Sequence, residues 1–193
     1  MIRSQKNRYL LPGLGMLLIA LLIVLVPFLQ RDSYSKISDL HIQQLSELEV
    51  LEVLDYKINN EMDKPIAYIF YKRGVKVGAY WLRIKNDEME YGADLMQNEN
   101  KEKSVQVFGV RTGFPYLMIQ IHDKQLLQEG KYIYATFNQK TWYRLDIEEG
   151  KRAYTLAGNY DEGAEGNSFV LIYNQEQQII YEWPTPPPTS PRP

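Results

Sequence analysis

Hydrophobic positions along this chain follow three successive patterns. From Leu10 to Leu29 the 20 residues carry no charge, and 14 of them are Leu, Ile, Val or Phe. As a helix that run spans about 30 Å, the thickness of a bilayer's hydrocarbon core. At the usual per-residue values its insertion is favoured by about 4 to 8 kcal/mol. Pro12 falls in the first turn, where its missing N–H costs little, and Pro27 lies at the exit. A buried core helix would show polar residues on one face, and this run shows none.

The second pattern is short. Ile37, Leu40, His41, Leu45 and Leu48 fall near helical spacing, with Ser38 as N-cap and Asp39 in the first turn. They predict a juxtamembrane helix from Asp39 to Leu48.

From Glu49 onward the period changes again. "PIAYIFYKR", "VKVGAYWLRIK", "SVQVFGVR", "YLMIQIH", "KYIYATFN", "TWYRLDI", "AYTLAG", "SFVLIYN" and "QIIYEW" are short, β-branched and aromatic. Turn clusters such as "NNEMDKP", "TGFP", "EEGK" and "DEGAEGN" separate them. Strands at this spacing predict an all-β domain, an antiparallel sandwich or barrel of about nine strands. "KQLLQEG" predicts one helical turn between two strands, and no long helix is available for parallel crossovers. The chain closes on "PTPPPTSPRP", which favours extended polyproline II and reads as a disordered tail or a docking peptide for an aromatic groove.

The expected organisation is therefore a cytoplasmic arm (1–9), a transmembrane signal-anchor (10–29), a juxtamembrane stalk or helix (30–48), an extracytoplasmic β domain (49–183) and a proline-rich tail (184–193). Arg3, Lys6 and Arg8 precede the span with no acid among them, which keeps the N-terminus in the cytoplasm. A cleavable signal would have a shorter apolar region and a small-x-small site. Its one candidate here is Ser33-Tyr34-Ser35, with cleavage after about Ser35.

Charge and composition narrow the chemistry. Three of the 22 Lys and Arg residues precede the span, leaving 19 against 24 Asp and Glu, a formal charge of −5 for the outer part. That balance argues against nucleic acid as a partner. The absence of Cys removes disulfides, thiolate metal sites and thiol nucleophiles, and fits an exported protein of a bacterial envelope. Neither His41 nor His122 has a second His at zinc-ligand spacing, and no G-x-S-x-G elbow is present. "YDEGAEGN" groups Asp161, Glu162, Glu165 and Asn167, but without the alternation of a calcium loop it reads as a solvated turn. No catalytic residue, cofactor or metal ligand is assigned. "NDEMEYGAD" reads as an acidic loop.

The aromatic residues are the remaining asset. Strand alternation sends Tyr80 and Trp81 to opposite faces, and likewise Trp142 and Tyr143. Tyr132 and Tyr134 share one face, while Ile133, Ala135 and Phe137 line the other and form the candidate core. Tyr80, Trp81, Tyr132, Tyr134, Trp142 and Tyr143 are the candidate binding residues, since rigid amphipathic rings make good contacts.

The order "EVLEVLDYKI … PIAYIFYKR … VGAYWLRIKNDEMEYG … SVQVFGVR … KYIYATFN … NSFVLIYNQEQQIIYEW" resembles membrane-anchored envelope proteins of bacilli. The likeness covers about Glu49 to Trp183. It implies a short anchor followed by one small all-β outer domain, and no activity comes with it. Met89, Glu90 and Tyr91 stand where those proteins have a Trp-rich turn.

Together these features lead to a single-pass, membrane-anchored, extracytoplasmic binding or scaffolding protein, with an envelope protein or cell-wall glycan as partner. Two alternatives stand beside it. One is a cell-wall-acting glycoside-type hydrolase using paired carboxylates, and the other is a secreted ligand-binding protein released by signal cleavage.

Overall fold

The computed structural model describes residues 32–163 and 166–184. The span at 10–29, the arm before it and the tail from 185 lie outside those residues. No helix among the described residues is long and apolar enough to cross a membrane. The described fold belongs to the unit that begins at Tyr34.

That unit is all-β apart from two short helices. Its elements run β1 (Tyr34–Ser35), α1 (Asp39–Glu49), β2 (Glu52–Asn59), β3 (Ile66–Arg73), β4 (Lys76–Lys85), β5 (Glu88–Asn98), β6 (Val105–Val110) and β7 (Tyr116–Ile121). Then follow α2 (Lys124–Glu129), β8 (Gly130–Thr136), β9 (Tyr143–Asp146), β10 (Ala153–Ala157), β11 (Phe169–Asn174) and β12 (Ile179–Trp183). They form three antiparallel sheets. The first is the meander β2-β3-β4-β5, with β1 paired to the end of β4. The second is β10-β7-β6 and the third is β12-β11-β8-β9.

Alternation along the strands shows how the sheets stack. Ile66, Tyr68 and Phe70 of β3 join Tyr116 and Met118 of β7 in one buried cluster. The intervening Ala67, Ile69 and Tyr71 join Ile42 and Leu45 of α1 in another. Leu117, Ile119 and Ile121 of β7 join Ile133, Ala135, Phe137, Val170 and Ile172 in a third. The layers therefore run α1, first sheet, second sheet, third sheet. β3 and β7 are covered on both faces, which is why residues 66–71 and 116–119 run apolar without alternation. Gly109 lets β6 approach β7, because a Cβ there would fall 1.9 Å from the Tyr116 carbonyl oxygen.

Three sequence expectations change. The strands number twelve among the described residues, and three stacked sheets replace the two of a sandwich. The acidic "loop" is the 11-residue strand β5, paired along β4 through a bulge opposite Gly78–Tyr80. Its Met89 and Tyr91 pack toward α1, while Leu95, beyond the bulge, packs toward the second sheet. The predicted stalk is not separate from the domain. Burial of Ile42 (4% exposed) and Leu45 (0%) seals α1 to the first sheet, a contribution of about 3–6 kcal/mol.

Local chemistry accounts for both helices. The Ser38 backbone N–H donates to His41 Nδ1 at 3.0 Å, which ties the first turn of α1. The helix ends at Val50, whose φ of +53° is left-handed although its side chain is β-branched. Asp123 caps α2 by accepting from the backbone N–H groups of Gln125 (2.7 Å) and Leu126 (3.2 Å).

Candidate functional site

The six candidate aromatics separate into three settings. Tyr80 is only 6% exposed, lies beneath α1 against Tyr71 and Tyr91, and donates to Glu49 Oε2 at 3.0 Å. It has no surface to offer a partner, because α1 covers its face of the first sheet. Trp81 points the opposite way, half-buried on the cluster between the first and second sheets. Its ring lies against Gly92, where a Cβ would come within 3.0 Å of Nε1. Trp142, in the β8–β9 connection, is 42% exposed. Tyr143 turns inward, edge-on to Phe137, and donates to Glu162 Oε2, so burial and that bond raise its pKa.

Tyr132 and Tyr134 do come together on the outer face of the third sheet. The register sets Tyr132 opposite Tyr173 and Asp146, and Tyr134 opposite Leu171 and Arg144. Tyr134 and Tyr173 meet edge to face at 5.2 Å. The Arg144 guanidinium lies 3.7 Å from the Tyr132 ring centroid, held there by Asp146 Oδ1 at 2.9 and 3.2 Å. Ile179, opposite Tyr173, is 52% exposed and extends the stripe onto β12. Tyr173, Leu171, Arg144 and Ile179 were not singled out in the sequence. The signal for two of them was there: Val170 and Ile172 look like core, which sends Leu171 and Tyr173 outward.

A second site brings His122 together with residues that no motif marked in the sequence. Where β2 meets β10, Asp55 accepts from the Thr155 backbone N–H at 2.5 Å and pairs with Lys151 at 3.1 Å. Beside this seam lies a cleft of about 510 Å³, lined among others by Lys72, Glu99, Lys101, Gln120, His122 and Arg152. Glu99 is the hub. Its carboxylate, 8% exposed, pairs with Lys72 at 2.8 Å and accepts from Gln120 Nε2 at 3.0 Å. Burial pushes the Glu99 pKa up, but Lys72, Lys101 and Gln120 outweigh it and hold it below the usual value. His122 follows β7, and its pKa is lowered by burial and by Lys101, Arg152 and Lys72, against the opposing pull of Glu99. Two buried polar atoms here, Gln120 Oε1 and His122 Nε2, have no hydrogen-bond partner.

The acids of the "DEGAEGN" turn have local tasks. Asp161 Oδ1 accepts from the Gly113 N–H at 3.2 Å, and Glu162 Oε2 from the Asn159 N–H at 2.9 Å. No group of three or more His, Asp or Glu suited to a metal ion occurs among the described residues. Compared with protein-family models, with curated proteins and with solved structures, the chain gives no match.

Proposed function

We propose that this protein is a single-pass, membrane-anchored binding module of the bacterial envelope, non-enzymatic, whose outward β domain holds a partner protein on the outer face of its third sheet. The observation that carries this reading is the coplanar set Tyr132, Tyr134 and Tyr173 with Leu171, Ile179 and a pre-positioned Arg144. Tyr and Arg around an apolar centre is the composition of protein-contact hot spots. A sugar ring would need an open aromatic face. Tyr132 has one face occupied by Arg144, which favours a protein over a glycan.

Retention in the membrane is supported by the uncharged run Leu10–Leu29 behind Arg3, Lys6 and Arg8. Cleavage after Ser35 would remove β1, whose Tyr34 and Ser35 pair with Lys85 and Ile84. A tethered domain meets partners confined to the same surface, so a modest interface suffices through high effective concentration. The test is site-specific photo-crosslinking in intact cells from positions 134 and 179, with position 87 as control. One shared protein adduct from the first two positions, absent from the control and lost in Tyr173→Ala, is expected. Adducts equal at all three positions would overturn the reading, as would protection of the β domain from external protease.

A further inference from the structure

Separately from that face, the cleft beside the β2–β10 seam has the features of a built ligand site. Gln120 is 7% exposed, and its amide is oriented by the bond from Nε2 to Glu99, which leaves Oε1 directed away from that carboxylate. Oε1 is an acceptor without a donor, and His122 Nε2 is likewise buried and unpartnered. Such atoms in a native protein carry a desolvation cost that a bound group recovers. Both residues line the cleft, which is where such a group would sit.

The charges around it select the ligand. Lys72 is committed to Glu99, and Lys151 to Asp55 and, at 3.6 Å, to Glu148. Lys101, 3.8 Å from the already paired Glu99, and Arg152, which makes no ion pair among the described residues, remain at the rim. Glu52, which is exposed, is the one lining acid besides Glu99 and balances only one of these two cations. A locally positive cleft on a domain of net charge −5 attracts anions. Burial and the same cations favour the uncharged form of the His122 ring, in which Nε2 serves as a hydrogen-bonding group. The space is that of a small-molecule pocket.

We infer that this cleft binds a small organic anion that carries a hydroxyl or N–H donor beside its charged group. The anion sits between Lys101 and Arg152, the donor reaches Gln120 Oε1, and His122 Nε2 completes the set. A metal ion is disfavoured by Lys72 and Lys101 crowding the only buried carboxylate of the cleft.

The donor requirement makes the test sharp. L-Lactate and propionate share a carboxylate and a three-carbon skeleton, and differ by one hydroxyl. Titrated into the full-length, histidine-labelled chain, each is followed by the His122 ring signals, with His41 as the internal control. Lactate is expected to shift His122 and to bind about tenfold more tightly than propionate, because an analogue lacking the hydroxyl leaves the acceptor unpaired. Gln120→Met, close in size, should bring the two affinities together while the His122 response persists. Arg152→Gln, on the exposed rim where folding is insensitive to it, should weaken both anions several-fold. Equal affinities in the unmodified chain, or His122 signals that move no more than those of His41, would overturn the inference and leave the cleft holding water alone.

Discussion

Tyr68 and Tyr116, between the first and second sheets, differ from Tyr132, Tyr134 and Tyr173, on the outside of the third, in what surrounds them rather than in local sequence. The inner rings, 4% and 1% exposed, stack 4.5 Å apart. Their hydroxyls donate to the Phe114 carbonyl at 2.7 Å and to Asp94 at 2.8 Å. Burial raises both their pKa values, with Asp94 adding to the effect on Tyr116. The outer rings are half-buried and held by one another and by Arg144. One residue type thus serves as a wedge with a tethered polar tip inside and as a contact surface outside. A layered β protein thus buries aromatics on both faces of its middle strands and leaves a cluster of them at the surface of its last layer.

The largest effect expected falls on the inner set. Tyr116→Ala should cost about 3–5 kcal/mol in denaturant unfolding, whereas Tyr116→Phe, which loses only the bond to Asp94, should cost about 1 kcal/mol. Similar losses for the two would mean that the tethered hydroxyl, not the ring, is what the inner position needs. Next comes the ion pair at the cleft. Lys72→Met leaves the buried Glu99 without its nearest cation and should cost about 1–3 kcal/mol, allowing for the partial exposure of Lys72. Glu99→Gln added to it should restore much of the loss, and no restoration would show that Lys72 acts by packing alone.

Val50 lies outside both regions. It is 80% exposed at φ +53°, so Val50→Gly should stabilise the domain by about 0.5–1 kcal/mol, read as a rise in Tm. A fall in Tm would mean that the valine side chain is covered in the intact protein. The pH profile sharpens the contrast further. His122 has its folded pKa lowered from 6.5, so below that value the unfolded chain takes up a proton that the folded chain resists. Stability is therefore complete above about pH 6.5 and is lost as pH falls through the folded value. His122→Gln should flatten that part of the profile, and Glu99, also lowered, should dominate the steeper loss at more acid pH. The smallest change is expected outside. Tyr134→Ala should alter stability by no more than about 0.5 kcal/mol while abolishing the partner adduct. A loss comparable with that of Tyr116→Ala would erase the distinction between the two sets.

Much of this architecture could be read along the chain, and the exceptions have physical causes. The β8 alternation placed Ile133, Ala135 and Phe137 inside, and all three are fully buried. Ser38 and Asp39 marked the start of α1, and "KQLLQEG" marked α2. β5 was unreadable because an edge strand gains its backbone bonds from β4 and buries only Met89, Tyr91 and Leu95, so Glu88, Glu90 and Asp94 cost it little. Tyr80 was misjudged because alternation tells which residues oppose one another, but not whether a helix lies above them. The cleft was invisible because Glu99, the Gln120–His122 pair and Arg152 come from three segments far apart in the chain.

By itself the sequence determined the apolar run at 10–29, the acidic balance beyond it, the β character of the remainder and the pairs of residues that share a strand face. These are local or additive properties, written in spacing and composition. Tertiary structure alone decided which faces are inner, that three sheets rather than two are stacked, that α1 closes the first of them, and that two unpaired buried atoms meet beside a positive rim. Those depend on which distant strands become neighbours, and burial, the quantity that separates a core tyrosine from a contact tyrosine, is a property of the neighbours.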